Sequence, residues 1–209
     1  MSLKTFIRQS IFDIYRLTYY FSISYLRSRS ELPLILNRRN LKNKGVEVGV
    51  WKGEFSDFIL SNWVGKKLYS VDPWKNFDDS EYPDDMNIKQ DKFDSIYNDV
   101  KTLLAKHGER SEIIRKDSVS ASRDFQDKTL DFVYLDGRHH FEGVKEDIYY
   151  WYPKVKNGGL LCGHDYLNGK IGETYFGVKQ AVDEFAKDNN YKVIVSAKDH
   201  YPTWIIVKK

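Results

Sequence analysis

Ionisable side chains cluster at the ends of two apolar runs in the last third of the sequence. The run Leu130–Asp136 (LDFVYLD) leads into Gly-Arg-His-His, and the run Gly158–Asp165 (GGLLCGHD) ends on a histidine and an aspartate. In an open parallel sheet, residues at such positions lie at the carboxyl edge, where ligands bind. Histidine side chains ordinarily have a pKa near ~6.5 and can accept a proton at neutral pH, and His139 stands at this position. Its neighbour His140 is the alternative base, although capping of a helix that begins near Phe141 is the more ordinary role.

A glycine-containing turn near residue 50 predicts a second ligand-binding element. Gly45–Ser56 (GVEVGVWKGEFS) has the pattern of a strand, a turn and the start of a helix. The glycines permit close approach of the backbone, and the helix offers unpaired N–H groups. The G-x-x-x-G spacing matches neither the dinucleotide fingerprint nor a P-loop. Glu47 would repel a pyrophosphate but suits a ligand with a cationic end. A purely structural turn is the alternative.

Two further strand ends carry polar groups. Asp72 ends the run KLYSVD, about 20 residues past the turn, where an acid can accept hydrogen bonds from ribose hydroxyls. Together, Glu47 and Asp72 indicate a nucleoside ligand that bears a positive charge. Asp117 and Ser118 end the third apolar run and are placed to meet an adenine edge. Capping of the following helix is the alternative role of these residues.

Strand and helix patterns alternate from Gly45 onward. The predicted strands are Gly45–Val50, Lys67–Asp72, Glu112–Asp117, Leu130–Asp136 and Gly159–His164, and the predicted helices begin near Glu54, Asn87, Ser118, Phe141 and Tyr175. This alternation predicts a parallel sheet with helices on both faces. Tyr191–Ala197 and Thr203–Val207 are joined only by Lys198–Pro202, which permits an antiparallel hairpin and excludes a helical crossover. We therefore predict an α/β three-layer sandwich with a mostly parallel, seven-stranded sheet.

The order of these motifs resembles that of class I S-adenosylmethionine-dependent methyltransferases. The series comprises ExGxxxG, an acid ending strand two, Asp-Ser ending strand three, LDG after strand four and NGGLLxGHDY at strand five, over roughly residues 45–208. It is most similar to the small-molecule O-methyltransferase branch, which includes catechol, macrolide and sugar O-methyltransferases and cephalosporin-hydroxylase-like proteins. The resemblance implies a Rossmann-like fold that ends in a β-hairpin, with S-adenosylmethionine as the cofactor.

The resemblance also implies a set of cofactor-binding residues. They are Glu47, Gly49, Trp51, Gly53, Ser56, Asp72, Asp117, Ser118 and Asp136. The glycine turn matches the methionine side of the cofactor, Asp72 the ribose and Ser118 the adenine. Trp51 stands where many members have a second glycine. The family pattern has a hydroxyl residue at the position of Phe55, and we predict that Ser56, one position later, supplies this hydroxyl.

In the resembling family, an acid after strand four and a pair after strand five hold a divalent metal. The corresponding residues are Asp136, His164 and Asp165. Oxygen ligands with retained waters suit Mg²⁺, but imidazole is a poor Mg²⁺ ligand. Either the site takes Mn²⁺ or another transition ion, or only the two aspartates bind the ion. His139 matches the general base of some metal-dependent relatives. The implied reaction is in-line methyl transfer to a substrate hydroxyl.

Charge separates an N-terminal extension, residues 1–44, from a methyltransferase domain, residues 45–209. The 209-residue chain has a formal net charge of +3, yet nine basic and two acidic residues fall within the extension. Apolar residues at helical spacing predict a helix from Lys4 to about Arg29. Its longest uncharged run, Leu17–Leu26, has about half of the ~20 residues that a membrane span needs. We expect it to pack over its own domain, to pair with a second copy, or to lie on an anionic membrane surface.

The remaining features restrict the function without identifying the acceptor. The single cysteine, Cys162, lies in a predicted buried strand, which fits a reducing, cytoplasmic compartment. The loop Pro73–Met86 is either a solvated surface loop or a lid over the ligand edge, where Trp74, Phe77 and Tyr82 can stack on a sugar or a phenol. Acidic residues in this loop disfavour an anionic acceptor. A nucleic-acid substrate is not expected, because residues beyond the extension are mildly acidic overall.

We therefore expect a metal-assisted O-methyltransferase for a small hydroxylated acceptor such as a sugar or natural product. One alternative is a metal-independent methyltransferase that acts on another acceptor. The other is a non-catalytic binding module that keeps the fold and uses the basic N-terminal helix as its working surface.

Overall fold

The computed structural model describes residues 23, 25–77, 87–172 and 174–209. Its strands are β1 (Lys44–Val48), β2 (Lys67–Val71), β3 (Ser111–Ile114), β4 (Leu130–Leu135), β5 (Val155–Gly163), β6 (Gly169–Ile171), β7 (Thr174–Phe176), β8 (Ile194–Val195) and β9 (Trp204–Val207). Its α-helices are α1 (Leu32–Arg38), α2 (Glu54–Asn62), α3 (Gln90–Leu104), α4 (Ser118–Ser122), α5 (Phe141–Trp151) and α6 (Val178–Asp188). Short 3-10 helices span Arg29–Glu31, Ala105–Arg110 and Tyr152–Lys154. The predicted N-terminal helix falls largely outside the described residues.

Seven strands form one sheet in the order β3-β2-β1-β4-β5-β9-β8. The first five strands pair in parallel, and β9 pairs antiparallel with both β5 and β8. The predicted mostly parallel, seven-stranded sheet with a C-terminal antiparallel hairpin is therefore confirmed. No helix within the described ranges is long and apolar enough to span a membrane.

The central strand β4 contributes to a hydrophobic core on each face of the sheet. All six of its residues are buried. Phe132 and Tyr134 pack with apolar side chains of α1, α2 and α3, whereas Val133 and Leu135 pack with those of α5 and α6. Successive strand residues point to opposite faces, so this alternation produces the three-layer arrangement.

The five predicted parallel strands all end before their predicted last residues, and β1 and β3 do so by more than one residue. β1 stops at Val48 because Gly49 adopts a φ of +87°. β3 stops at Ile114, and the predicted strand residue Asp117 is instead the N-cap of α4. Its carboxylate accepts a hydrogen bond from the N–H of Ser120 at 2.9 Å, which stabilises the first turn of that helix.

A small antiparallel hairpin, β6–β7, lies between β5 and α6 and is not predicted by the alternation of motifs. The helix expected near Tyr175 begins only at Val178, because Thr174–Phe176 pairs with Gly169–Ile171. The hairpin thus replaces the first turn of the predicted helix with an extended segment.

The described residues that precede β1 share a core with the sheet. Leu26, Leu32, Leu36 and Leu41 are buried in the cluster that contains the apolar side chains of α2. Leu26 also forms a parallel β-bridge with Ser196, beside the edge strand β8. This attachment brings the segment close to the ends of the strands.

Candidate active site

Residues at the carboxyl ends of β1, β2 and β4 line a cavity of about 960 Å³. β2 and β3 lie on one side of β1, and β4 and β5 lie on the other, a switch point at which open α/β sheets bind ligands. Most of the predicted site residues line the cavity: Glu47, Gly49, Trp51, Asp72, Asp117, Ser118, Asp136, His139 and Asp165. The other three, Gly53, Ser56 and His164, do not belong to its lining.

The turn after β1 packs directly against the end of β4. A Cβ atom on Gly49 would lie 2.1 Å from the backbone oxygen of Asp136, so only glycine fits this approach. Trp51 has a φ of +51°, an unusual conformation for a bulky residue, at the position where the resemblance implies glycine. Gly53, with a φ of +77°, is the N-cap of α2. The glycine pattern therefore sets the path of the turn and the start of the helix.

Asp72 holds this turn through backbone hydrogen bonds. Its Oδ2 accepts from the N–H of Val50 at 2.9 Å and of Trp51 at 3.0 Å, and its Oδ1 accepts from the N–H of Trp74 at 2.7 Å. Burial raises the pKa of Asp72, although these donors oppose the shift. The predicted ribose acid is thus also a structural anchor at the edge of the cavity.

The predicted lid contains one residue that is not at the cavity surface. Trp74 is fully buried, and its indole Nε1 donates a hydrogen bond to the backbone oxygen of Trp51 at 2.9 Å. It cannot stack on an acceptor, because it forms part of the core beneath the turn. Phe77 does line the cavity. Tyr82 lies outside the described residues.

Glu47 is a buried acid in the cavity wall, with 1% of its surface exposed. The hydroxyl of Ser56 donates a hydrogen bond to its Oε2 and lies 2.8 Å from the hydroxyl of Ser70. Burial raises the pKa of Glu47 to about 8, although the Ser56 hydrogen bond opposes the shift. Ser56 therefore supports Glu47 and does not replace the hydroxyl missing at Phe55, whose ring lines the cavity.

The polar pair after β3 is engaged by neighbouring protein groups. Asp117 caps α4, as its alternative role predicted. The hydroxyl of Ser118 donates to Asp147 and accepts from the indole Nε1 of Trp151 at 2.9 Å. Arg138 fixes the same aspartate, with its Nε 3.1 Å from Asp147 Oδ2. The Ser118 hydroxyl is therefore hydrogen-bonded to neighbouring side chains, although Ser118 itself lines the cavity.

Four ionisable side chains converge at the ends of β4 and β5. His139 Nε2 lies 3.2 Å from Asp165 Oδ2, and His164 Nδ1 lies 3.2 Å from Asp165 Oδ1 and 3.6 Å from Asp136 Oδ1. The two imidazoles therefore contact opposite oxygens of Asp165. Asp165 itself has a φ of +52°, a left-handed conformation that directs the chain away from β5.

The charges of this cluster are mutually dependent. Burial and the nearby charge of Asp165 raise the pKa of Asp136 to about 7, against the attraction of His164. Burial would also raise the pKa of Asp165, but hydrogen bonds from His139 and His164 hold it well below its usual range. For His164, burial would lower the pKa, but Asp165 and Asp136 raise it. Asp165 is therefore the permanent anion of the cluster at neutral pH.

Residues 46–166 match the protein family described as "Methyltransferase domain". The chain belongs to this family. S-adenosylmethionine is the cofactor of the family, and the predicted class I methyltransferase resemblance is confirmed. The chain is 24% identical over 151 residues to the uncharacterized protein y4gI of Sinorhizobium fredii (strain NBRC 101917 / NGR234). That match covers 72% of this chain but only 15% of the relative.

Solved structures with different described activities share the fold. A proposed caffeoyl-CoA O-methyltransferase from Staphylococcus aureus has a TM-score of 0.60 at 16% identity, covering 84% of this chain and 80% of that one. An rRNA methylase from Streptococcus thermophilus has a TM-score of 0.55 at 13% identity, covering 84% and 96%. At these identities, the similarity establishes the Rossmann-like methyltransferase fold alone.

The cavity brings together three side chains that could hold a metal ion, and this group contains His139 where the predicted one contains His164. One ligand atom each from Asp136, His139 and Asp165 lies within 4.8 Å of the other two. His139 takes the place expected for His164, because it follows β4 into the cavity whereas His164 lies outside the lining. Two carboxylate oxygens and an imidazole suit Mn²⁺, Fe²⁺ or Zn²⁺ better than Mg²⁺.

The two candidate bases occupy different positions. His140 is the N-cap residue of α5, although its side chain makes no capping hydrogen bond, and it lines the cavity together with His139. The ring of His139 packs on Phe176, with 5.0 Å between centroids, and contacts Asp165. His139 therefore belongs to the ionisable cluster that the strand ends form, whereas His140 precedes the first turn of α5.

Three parts of the cavity wall are missed by the sequence motifs. They are the hairpin residues Ile171, Gly172, Thr174 and Phe176, the loop residue Tyr201, and the N-terminal residue Arg29. Turn formers between β5 and α6 could have revealed the hairpin, because Asn168-Gly169 and Gly172 interrupt the pattern there. No local signal marks Arg29 or Tyr201, which reach the cavity through tertiary packing.

Proposed function

We propose that the protein is an S-adenosylmethionine-dependent O-methyltransferase that acts on a small hydroxylated molecule. The observation that carries this proposal is the His139–Asp165 pair at the same cavity as the glycine turn, Glu47 and Asp72. The cofactor extends from Glu47, at its methionine end, past Asp72, at its ribose, to the Asp117–Ser118 edge. The cavity volume of about 960 Å³ is compatible with a cofactor and a small acceptor.

When bound, S-adenosylmethionine supplies a sulfonium methyl group: the acceptor oxygen forms a bond to this carbon, the carbon–sulfur bond breaks, and S-adenosylhomocysteine remains. The protein holds the acceptor in line with that bond. His139 takes the proton of the acceptor hydroxyl. Asp165 orients the imidazole and stabilises its positive charge, as a carboxylate does for other catalytic histidines.

A divalent transition metal fits the same cluster through Asp136 and Asp165, with His139 as a third ligand in the resting site. Such an ion would lower the pKa of the acceptor hydroxyl. If His139 stays bound to the ion, it cannot also serve as the base. His139 would therefore be a metal ligand in the metal-assisted form of the reaction and the base in the metal-independent form. Activity measured in the presence of a chelator distinguishes the two forms.

The aromatic side chains on the acceptor side of the cavity favour an acceptor that contains a ring. Phe176 and Tyr201 lie 6.1 Å apart between centroids and border the cavity beside His139. Aromatic faces of this kind pack on sugar rings and phenols. We therefore place phenols, sugars and related natural products first among the candidate substrates.

Replacing His139 with glutamine tests the proposal. We expect turnover to fall about 10²- to 10⁴-fold, because proton removal by a positioned base contributes an effect of this size. The affinity for S-adenosylhomocysteine should stay close to that of the wild type. Turnover is measured as S-adenosylhomocysteine release during a screen of phenols and sugars, and affinity by titration calorimetry.

The rival base provides the comparison. His140→Gln should retain most of the turnover, because His139 is the histidine that contacts Asp165 and His140 is the N-cap residue of α5. A reversed result would assign the proton transfer to His140. Equal loss of binding and turnover in His139→Gln would show a structural histidine. Activity that survives dialysis against a chelator would remove the metal from the mechanism, and no binding of S-adenosylhomocysteine to the wild type would contradict the proposed function itself.

A further inference from the structure

The segment before β1 delivers one charged side chain to the cavity. Leu26 is fully buried, and its backbone oxygen accepts a hydrogen bond from the N–H of Ala197 at 3.1 Å. The oxygen of Arg27 accepts from Lys198 at 2.9 Å, and the N–H of Arg29 donates to Asp199 Oδ2 at 2.9 Å. These bonds fasten the segment to the chain that follows β8, so the position of Arg29 is fixed by the fold.

The Arg29 guanidinium lies at the methionine end of the proposed cofactor site. Its central carbon is 4.9 Å from the centroid of the Phe55 ring, and its Nη1 is 3.8 Å from Asp136 Oδ2. Among the residues that the structure describes, this guanidinium donates no hydrogen bond, and its ion pair with Asp136 leaves its N–H donors available. The side chain is 42% exposed and lines the cavity. Its planar array of N–H donors is therefore positioned for a ligand.

Other cations of the lining are placed differently. Arg138 directs its donors to the acids of α5, with Nη1 2.6 Å from Glu146 Oε2. Lys52 and Lys75 lie over the rings of Trp51 and Phe77, on the turn and on the loop after β2. Of these four cations, Arg29 is the one that forms an ion pair with the acid at the end of β4, Asp136.

A ligand with both a positive and a negative group at this end of the cavity needs a cation as well as the carboxylates of the protein. The methionine part of the cofactor carries both an ammonium and a carboxylate. Glu47 and Asp136 suit the ammonium, but they would repel the carboxylate unless a cation stood beside them. Phe55 offers only its ring to the cavity, and the hydroxyl of Ser56 is bound to Glu47.

We propose that Arg29 binds the methionine carboxylate of the cofactor, opposite the ammonium group that Glu47 receives. The inference rests on the proposed function, since it takes the same cofactor in the same cavity. A guanidinium recognises a carboxylate through paired N–H donors, and the Phe55 ring supports its face. The N-terminal segment is then part of the cofactor site.

Two ligands distinguish carboxylate binding by Arg29 from a purely structural role of this residue. S-adenosylhomocysteine carries the amino-acid group, whereas 5′-methylthioadenosine keeps the nucleoside and the thioether but lacks that group. In the full-length chain, we expect Arg29→Gln to weaken S-adenosylhomocysteine about tenfold to a hundredfold, as for loss of a charged hydrogen bond, and to leave 5′-methylthioadenosine unchanged. Arg29→Lys should recover part of the affinity. Arg27→Gln, an exposed neighbour with the same change of charge, is the matched control.

Each outcome of the calorimetry either supports or contradicts carboxylate binding by Arg29. Selective loss of S-adenosylhomocysteine binding in Arg29→Gln, with normal binding in Arg27→Gln, supports the role. Equal weakening of both ligands overturns it and indicates a folding effect, which thermal unfolding of the same variants would also reveal. Unchanged affinity for both ligands, with a raised KM for the acceptor, overturns it in favour of an acceptor anion. Wild-type protein that binds neither ligand contradicts the proposed function before Arg29 is considered.

Discussion

The two sides of the cavity use carboxylates in different ways. On the cofactor side, formed by the ends of β1 and β2, Asp72 accepts three backbone N–H donors and Glu47 accepts the Ser56 hydroxyl. On the acceptor side, formed by the ends of β4 and β5, Asp136 and Asp165 contact imidazoles. Backbone donors cannot change protonation near neutral pH, whereas imidazoles can. The first side therefore has an aspartate held by fixed backbone donors, whereas both aspartates of the second side contact groups that can exchange protons.

The largest expected effect comes from Asp165→Asn on the acceptor side. His139 would lose the carboxylate that orients its ring and stabilises its charge, so we expect turnover to fall by about 10²- to 10⁴-fold. The affinity for S-adenosylhomocysteine should remain that of the wild type. Steady-state turnover and calorimetry provide the two measurements, with Asp188→Asn at the exposed end of α6 as the control. A comparable loss of cofactor affinity would break the division between the two sides.

An aspartate-to-asparagine change on the cofactor side, at Asp72, should lower stability and cofactor affinity. In Asp72→Asn, an amide N–H must face either the N–H of Trp74 or those of Val50 and Trp51. A buried donor left without an acceptor costs about 1–3 kcal/mol, so the free energy of unfolding should decrease by that amount. We expect S-adenosylhomocysteine to bind about tenfold more weakly, because the turn is no longer held. Urea denaturation and calorimetry test this, and unchanged values of both would show that Asp72 does not anchor the turn.

The two sides also differ in how well the sequence predicts them. The cofactor side is local: Glu47, the glycine turn and Asp72 lie within one strand-turn-helix-strand unit, so spacing alone identifies most of it. Even there, the sequence could not show that Ser56 binds Glu47 or that Trp74 is buried beneath the turn. Those contacts depend on how α2 and the following loop pack on the sheet.

The acceptor side is assembled from distant segments. Asp136, His139 and Asp165 were predicted because they follow apolar strands, but Phe176 and Tyr201 have no motif that marks them. The exchange of His164 for His139 in the metal-binding group has the same origin. His139 and His164 follow different strands, and only the path of the backbone after each strand decides which imidazole lines the cavity. Substrate preference is therefore the property least accessible from the sequence.

The smallest expected effect concerns Glu47 and its dependence on pH. Because its pKa is raised to about 8, the folded protein keeps a proton that the unfolded chain releases near the ordinary value of 4.5. The contribution of Glu47 to the free energy of unfolding is therefore fully present below pH 4.5 and is lost as the pH rises through about 8. In Glu47→Gln this decline should be smaller, although Asp136, with a pKa of about 7, keeps part of it.

Ligand binding should show the opposite dependence. An ammonium group favours the ionised form of Glu47, so the affinity for S-adenosylhomocysteine should rise by about tenfold between pH 6.5 and pH 8 relative to Glu47→Gln. The comparison with the glutamine variant cancels the titration of the ligand's own amino group. Calorimetry in buffers of different ionisation enthalpy should also detect proton release from the wild type on binding. Parallel pH profiles for the two proteins would show that the ammonium group does not meet Glu47, and the cofactor side would then bind its ligand through the turn and Asp72 alone.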